Sequence, residues 1–229
     1  MGLKLFIKEH KTFCILHILC FVLGGVPFLI LDKVAFFVWL NQFHHPIADS
    51  FFYYVSYLGS SAAYALLMTI LFVLGSNSRT LLIGISSFVT MSVIVQGMKR
   101  IVYVSQLRPI ACIPEGVPIH LVKGVIRDIH FSLPSGHAAT IFTVACFVHL
   151  LMRAQCVWRS VFLFVGATLV AYARVYLCQH FYTDIYVGAW LGTCITILMY
   201  SVLIQWKGPA WLDQQPSLRW LWIKRKVGY

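Results

Sequence analysis

Two short stretches in the second half of the chain hold residue types that can do chemistry on an anion. Residues 134–137 have the sequence Pro-Ser-Gly-His and precede a long apolar run. Further along, Arg174 is followed by His180 after five residues, and His180 by Asp184 after three. A carboxylate beside a histidine fixes the imidazole tautomer and prepares the ring as a nucleophile or base. The arginine supplies donors for negative oxygens, so the pattern indicates phosphate chemistry.

Residues 134–137 have two interpretations when taken alone. Ser135 can be the N-cap of a helix, or it can hydrogen-bond a ligand oxygen directly. The first N–H groups of a helix lack internal partners and can bind an anion. Gly136 lets the backbone come close to such a ligand, and His137 is placed to donate a proton. A plain capped helix and an anion site both remain open.

The second stretch is equally open when taken alone. His180 and Asp184 are four residues apart, so they are neighbours on a helix and can form a structural pair. Arg174 lies within an apolar run, where a charge is costly unless it has a polar partner or reaches the interface.

The composition predicts a membrane protein. Of the 229 residues, 60% are hydrophobic and 11% are charged, whereas soluble domains have about 25% charged residues. The net charge of +11 does not indicate nucleic-acid binding, because the basic residues lie between or beside apolar runs. The seven cysteines form no C-x-x-C pair, which excludes the usual zinc and redox motifs.

We predict an all-α fold, a polytopic membrane helix bundle with about six transmembrane helices. It forms a single domain over residues 1–229, with a core at about 50–205. The first span is expected to be retained, because its apolar run is long for a signal peptide and no A-x-A site follows. The predicted spans are 12–32, 51–75, 80–98, 138–152, 161–177 and 185–205, with a surface helix in 33–50, a polar loop at 99–137, a basic loop at 153–159 and a cytoplasmic basic tail at 206–229.

The distribution of basic residues predicts cytoplasmic termini. With that orientation, eleven of the 18 Lys and Arg residues lie inside, as the positive-inside rule requires. The outer basic residues cluster near span ends, where they are candidates for function and not for anchoring. These seven are Lys33, Lys99, Arg100, Arg108, Lys123, Arg127 and Arg174.

Together, the two stretches resemble the second and third signature motifs of the type 2 phosphatidic acid phosphatase (PAP2) superfamily. The resemblance covers roughly residues 50–205, and both motifs are complete and in order. The first family motif is usually Lys-x6-Arg-Pro. Here Arg108 and Pro109 supply its end, but the nearest lysine is Lys99, which gives Lys-x8-Arg-Pro. We interpret the difference as a two-residue extension with Lys99 as phosphate ligand and Arg100 as its competitor.

The resemblance implies hydrolysis of a lipid phosphate or diphosphate through a phosphohistidine. His180 would attack phosphorus, Asp184 would orient it, and His137 would protonate the leaving alkoxide and then activate water. No metal or cofactor is expected, because the motifs contain one acidic residue, too few for a magnesium site. The implied phosphate-binding residues are Lys99, Arg108, Ser135, Gly136 and Arg174.

The expected partners are a membrane and a phosphorylated lipid at the outer face of the inner membrane. Lipid A and undecaprenyl diphosphate are the favoured substrates, with phosphatidylglycerol phosphate and phosphatidic acid as further candidates. A lipid phosphotransferase on the same fold and a non-enzymatic phospholipid transporter remain alternatives. Vanadium haloperoxidases share the motifs but are soluble. The sequence indicates neither protein partners nor an oligomeric state.

Overall fold

A computed structural model describes residues 10–152 and 156–214. The described residues are helical and contain no β-strand, so the predicted all-α fold is confirmed. The helices are α1 (Lys11–Ile30), α2 (Lys33–Asn41), α3 (Pro46–Val55), α4 (Ser61–Val73), α5 (Ser78–Gly97), α6 (Pro109–Cys112), α7 (Gly136–Leu151), α8 (Val157–Tyr176) and α9 (Tyr182–Gln205), with a π turn at Met98–Val102 and 3-10 turns at Ser56–Gly59 and Ala210–Asp213.

Three helices are long and apolar enough to cross a membrane, namely α5 with its π turn, α8 and α9. The bent pair Pro46–Gly59 and Ser61–Val73 can supply a fourth span, and Lys11–Pro27 and Gly136–Leu151 are shorter apolar helices. The described residues thus contain three helices that can each cross a membrane, or four spans if the bent pair counts as one. The predicted number of six spans stays a prediction.

The second predicted span differs from the structure. Residues 51–75 are not one helix, because α3 and α4 meet at an angle of 58°. The chain breaks there because a 3-10 turn ends α3 and the Ser60 hydroxyl accepts the Ala63 N–H at 3.1 Å, which starts a new helix.

The predicted surface helix at 33–50 is also divided. Helix α2 ends at Asn41, and α3 begins at Pro46, a residue suited to the first turn of a helix. Phe37 of α2 is buried and its ring lies 5.8 Å from that of Phe181. The segment therefore packs directly beside His180.

The basic loop predicted at 153–159 is shorter than expected. Helix α8 begins at Val157, so Arg159 lies in its first turn and not in a loop. Residues 153–155 lie outside the described residues. Helix α7 includes Gly136 and His137 at its start.

Helix α7 is the centre of the bundle and packs closely on α9. A Cβ atom at Gly188 would lie 2.5 Å from the Ser135 carbonyl oxygen, and one at Gly192 would lie 2.2 Å from that of Ala139. Two glycines four residues apart on one helix face allow such a backbone approach. The start of α7 is thereby fixed against the first turns of α9.

The opposite end of the bundle is closed by Arg79 at the start of α5. Its Nε donates to Asp213 at 2.6 Å, and its Nη1 donates to the carbonyl of Trp206 at 2.8 Å. Nearby, His10 and His149 lie 3.1 Å apart. The described chain thus begins and ends at this end. Of the predicted tail, residues 206–214 are described. Residues 1–9 and 215–229, which hold most of the terminal basic residues, lie outside the described part.

Candidate active site

The predicted site residues meet at the end of the bundle where α5 and α8 end and α7 and α9 begin. The Ser135 N–H donates to the Asp184 carbonyl at 2.9 Å, which joins the two predicted motifs directly. The loop between α5 and α7 brings Arg108 to the same place, because its backbone N–H donates to the Ile129 carbonyl at 2.8 Å.

A tight turn places His180 after α8. Cys178 has a left-handed backbone with φ of 57°, which ends the helix. The N–H groups of Gln179 and His180 then both donate to the Arg174 carbonyl, at 2.9 and 3.1 Å. The number of residues between Arg174 and His180 is thus set by the turn that ends α8.

The His180–Asp184 pair has the geometry of a prepared nucleophile. Nδ1 of His180 lies 3.3 Å from Oδ2 of Asp184, and both side chains are buried. A carboxylate only accepts, so Nδ1 carries the proton and Nε2 keeps a free lone pair. Burial lowers the pKa of His180 to about 4, although the Asp184 hydrogen bond opposes that shift. His180 is therefore neutral at pH 7, the state that a nucleophile requires.

Ser132 also contacts this carboxylate, and the sequence did not predict it. Its hydroxyl donates to Oδ2 of Asp184 at 2.5 Å, and Ser132 is 1% exposed. The two residues are far apart in the sequence, and no spacing rule joins a loop serine to a helical aspartate. Only the fold reveals the contact.

Arg174 is a buried cation at the end of α8. It is 8% exposed, yet within the described parts of the chain its guanidinium makes no hydrogen bond or ion pair, and its Nε is enclosed and unsatisfied. A buried charge is costly unless something pairs with it. The arrangement suits an anionic ligand that accepts from the guanidinium.

Lys99 and Arg100 lie on the π turn and face different ways. Lys99 is 8% exposed and lies within electrostatic reach of Arg108, Arg174 and Asp184. Arg100 is exposed. The π turn adds a residue to the last turn of the helix, which accommodates part of the extended spacing. The orientation favours Lys99 as the phosphate ligand.

Arg108 is held in place by the 99–137 loop. Its Nε donates to the His130 carbonyl at 3.0 Å, and its Nη2 lies 3.3 Å from the carboxylate of Asp128. Burial lowers the pKa of Arg108. Asp128 is largely exposed, so an exposed residue of the polar loop contributes an ion pair to the site.

The start of α7 presents His137, Ser135 and Gly136. Ser135 accepts the Ala138 N–H at 3.4 Å and is fully buried, so here it acts as an N-cap. Of the residues that the structure describes, a Cβ at Gly136 would meet only Val95, at 4.0 Å, which leaves open space beside the backbone.

A cavity of about 410 Å³ opens beside His137 and Arg174. Two tyrosines of the α3 segment contribute to its wall, and sequence reasoning had assigned neither of them to the site. The other lining residues belong to the 3-10 turn after α3, the polar loop, the start of α7 and the end of α8 with the turn that follows it. The full lining is Tyr53, Ser56, Tyr57, Gly124, Val125, Ile126, Asp128, His137, Arg174, Leu177 and Gln179.

His120 fixes the polar loop and lies outside this cavity. Its Nε2 lies 2.8 Å from Oδ1 of Asp49, which also accepts from the Tyr176 hydroxyl at 2.5 Å. Its backbone N–H donates to the Asn41 side chain at 2.6 Å. The loop is therefore tied to α2, α3 and α8.

The comparison with protein families gives one match over most of the bundle. The model described as the PAP2 superfamily matches residues 80–207. An undecaprenyl-diphosphatase of Sulfolobus acidocaldarius is 35% identical over 57% of this chain and 59% of that protein. A lipid A 4'-phosphatase of Bacteroides thetaiotaomicron is 36% identical over 32% of each. The matched segments thus span less than two thirds of either relative.

Two solved structures share the fold. The crystal structure of Aquifex aeolicus LpxE has a TM-score of 0.62 and 28% identity, and the match covers 74% of this chain and 94% of that one. A transmembrane PAP2-type phosphatidylglycerolphosphate phosphatase from Bacillus subtilis has a TM-score of 0.63 at 20% identity, over 88% and 98%. At 20% identity, the similarity to the Bacillus subtilis protein shows a shared fold and nothing further.

Proposed function

The chain belongs to the PAP2 superfamily and is an integral membrane protein, and we propose that it is a phosphatase that hydrolyses a phosphorylated lipid through a phosphohistidine. The observation that carries the proposal is the buried His180–Asp184 pair beside Arg174, whose guanidinium has no partner among the described residues. A nucleophile next to unpaired donors suits a phosphate group.

In the first half-reaction, Nε2 of His180 attacks phosphorus, and the bond from phosphorus to the lipid oxygen breaks. Burial and the neighbouring cations lower the pKa of His137 to about 3 in the site without substrate. The negative charge of the bound phosphate opposes that shift, so in this proposal His137 takes up a proton with the substrate and gives it to the leaving alkoxide. The imidazole gains positive charge as the new bond forms, and Asp184 stabilises that charge through Nδ1. The products of this step are the free lipid alcohol and a phosphohistidine.

In the second half-reaction, water attacks the phosphohistidine. His137, now neutral, accepts a proton from that water, and the bond from phosphorus to Nε2 breaks. Inorganic phosphate leaves, and His180 and His137 return to their starting states.

Three cations stabilise the negative charge on the transferred phosphoryl group. Lys99, Arg108 and Arg174 all lie within electrostatic reach of His137, and in the proposed reaction the N–H of Gly136 at the helix start adds a neutral donor. Ser135 supports that helix start. The proposed reaction uses these groups and no metal ion or cofactor. Across the described residues, no three His, Cys, Asp or Glu side chains form a cluster that could hold a metal ion.

The proposed substrate is a lipid phosphate or diphosphate in the outer leaflet of the inner membrane. Lipid A and undecaprenyl diphosphate are the first candidates, because the curated relatives bear those names. We place the termini in the cytoplasm and the site outside. The support for that orientation is the distribution of basic residues along the sequence, since eleven of the 18 Lys and Arg residues then lie on the cytoplasmic side.

Phosphate release by the detergent-purified protein tests the function. A panel of lipid A, undecaprenyl diphosphate, phosphatidylglycerol phosphate and phosphatidic acid is assayed with EDTA present. We expect at least one lipid to release free phosphate, and His180→Ala to abolish that release. The exposed His44 provides a matched control, since His44→Ala should stay within about twofold of wild type. Activity that survives loss of His180, or that EDTA abolishes, contradicts the proposal.

A further inference from the structure

The Asp184 carboxylate is held by three donors on one oxygen. Oδ2 accepts from the Ser132 hydroxyl at 2.5 Å, the Phe181 N–H at 2.9 Å and His180 Nδ1 at 3.3 Å. Among the described residues, Oδ1 accepts only from the Thr183 hydroxyl, at 3.4 Å. The shortest of these contacts belongs to the serine, which is outside the residues that carry the proposed reaction.

Ser132 also lies where the three motif segments join. Its backbone N–H donates to the carbonyl of Gln106 at 3.1 Å, two residues before Arg108. Three residues after Ser132, the Ser135 N–H donates to the Asp184 carbonyl. A single buried residue thus connects the segment of Arg108, the start of α7 and the first turn of α9.

We propose that Ser132 is a positioning residue, which directs the Asp184 carboxylate toward His180 and limits how strongly that carboxylate accepts from the imidazole. The inference rests on the proposed function of His180 as nucleophile. Ser132 itself touches neither the phosphate nor the reacting atoms.

The distances give the physical reason. A hydroxyl at 2.5 Å takes more of the carboxylate charge than an imidazole at 3.3 Å. In the resting enzyme Asp184 is therefore bound mainly to Ser132 and the Phe181 N–H, and it opposes only weakly the burial that keeps His180 neutral. When His180 becomes positive during the attack, its hydrogen bond to Asp184 becomes charge-assisted and strengthens. Ser132 keeps the carboxylate in position for that moment.

The other charged and titratable groups around His180 are unchanged when Ser132 is substituted. They are Lys99 on the π turn, Arg108 in the loop, Arg174 on α8 and His137 on α7. Ser132→Ala changes none of them directly. A shift in the titration of His180 between wild type and this variant thus reports the hydrogen bond of Ser132.

The sign of that shift follows from the geometry. Loss of the Ser132 hydroxyl leaves more negative charge on Asp184, which stabilises the protonated imidazole. The pKa of His180 then rises above its wild-type value, and the acid limb of kcat/KM moves to higher pH. The rate also falls, because the carboxylate and the imidazole are less firmly oriented.

The experiment compares wild type, Ser132→Ala and Ser132→Thr on the lipid that wild type hydrolyses best. We expect Ser132→Ala to lower kcat by about ten- to a hundredfold with KM changed less than about twofold, and to raise the acid limb. Ser132→Thr keeps a hydroxyl and should restore both. The buried hydroxyl of Ser87, which donates to the Ile83 carbonyl at 2.7 Å, is the matched control, and Ser87→Ala should move neither.

NMR titration of the histidine nitrogens without substrate gives a second readout that does not depend on turnover. A higher pKa of His180 in Ser132→Ala supports the inference even if every lipid tested is inert, an outcome that would contradict only the proposed function. An active wild type with unchanged kcat, acid limb and His180 titration in Ser132→Ala overturns the inference alone. If Ser132→Ala fails to fold, Ser132→Cys keeps the volume with a weaker donor and gives the same comparison.

Discussion

Arg108 and Arg174 are both buried at the site, but their guanidinium groups have different surroundings. Arg108 donates to the His130 carbonyl and pairs with Asp128. Arg174 has no hydrogen-bond partner within the described ranges, and its Nε is unsatisfied. A bound phosphate therefore gains most from Arg174, and the protein without phosphate bears the cost of that unpaired charge.

This difference predicts that Arg174→Gln separates activity from stability. We expect kcat to fall by about a hundred- to a thousandfold, the typical effect of removing one donor to a developing charge. The midpoint of thermal unfolding should stay the same or rise, because an unpaired buried charge is removed. Phosphate release and thermal unfolding in one detergent measure both effects, and a variant that is strongly destabilised contradicts the account.

The neighbours Lys99 and Arg100 provide a matched pair. Lys99 is buried beside the other cations and Arg100 is exposed. Lys99→Ala should lower kcat/KM by at least about a hundredfold, whereas Arg100→Ala should change it by less than about threefold. Steady-state hydrolysis of the same lipid by the two variants measures the difference. If Arg100→Ala loses more activity than Lys99→Ala, then Arg100 and not Lys99 fills the role of the lysine in the first motif.

The low pKa of His180 predicts the pH dependence. Because burial lowers it to about 4, the neutral, nucleophilic form persists well below pH 6.5. The acid limb of kcat/KM should therefore lie near pH 4, since that limb reports the free enzyme. A pH profile on a substrate whose own ionisation is known measures this, and a limb near pH 6.5 contradicts the burial of His180.

Among the helices, the contact between α7 and α9 decides where His137 lies relative to His180. The backbone of α9 approaches Ala139 so closely that Gly192 has no room for a Cβ atom. Gly192→Ala should destabilise the protein by about 1–3 kcal/mol and lower kcat. Gly166 in α8 has no described residue within 4 Å of a Cβ atom placed there, so Gly166→Ala should be neutral or stabilise by about 0.5–1 kcal/mol. Denaturation of both variants in one detergent tests this contrast.

The sequence predicted those helices that consist of one long apolar run. Helices α5, α8 and α9 lie close to their predicted spans, because an apolar run of about 20 residues favours one uninterrupted helix. The break before Ser60 was missed, since a short 3-10 turn and a hydroxyl cap leave no mark in the pattern of apolar residues. The division between α2 and α3 was missed although Pro46 signals a helix start.

The site residues that were predicted lie in short sequence motifs. The site residues that were missed reach the site only through contacts between elements far apart in the sequence. Arg174, His180 and Asp184 are found from their spacing, because helix geometry sets that spacing. Ser132 contacts Asp184 only once α7 and α9 have packed together. Tyr53 reaches the cavity because α3 crosses α8, and no local sequence signal encodes that crossing.

At the level of the whole molecule, the Arg79–Asp213 ion pair and the candidate site lie at opposite ends of the bundle. Arg79 and Asp213 join at the end where the described chain begins and ends, and the three cations proposed to bind phosphate lie at the other. The orientation proposed here places the first end in the cytoplasm. A lipid substrate then reaches the site from the outer leaflet.

The orientation is tested by labelling cysteines from one side of the membrane. Cys156 is exposed at the start of α8, away from the site, and a membrane-impermeant thiol reagent should label it only in inverted vesicles. Ile126 is 84% exposed at the site end, so Ile126→Cys should be labelled in intact cells. Cys156→Ser controls for the remaining thiols. Labelling of Cys156 from outside reverses the proposed topology.

The most direct test of the central claim is capture of the phosphoenzyme on His180. A lipid carrying radioactive phosphate is mixed with the protein, the reaction is stopped rapidly under alkaline conditions, and the labelled peptide is identified. We expect the label on His180, with the acid lability of a phosphohistidine, and none in His180→Ala. Turnover by wild type with the label on another residue, or with no labelled enzyme at any time point, would contradict the account.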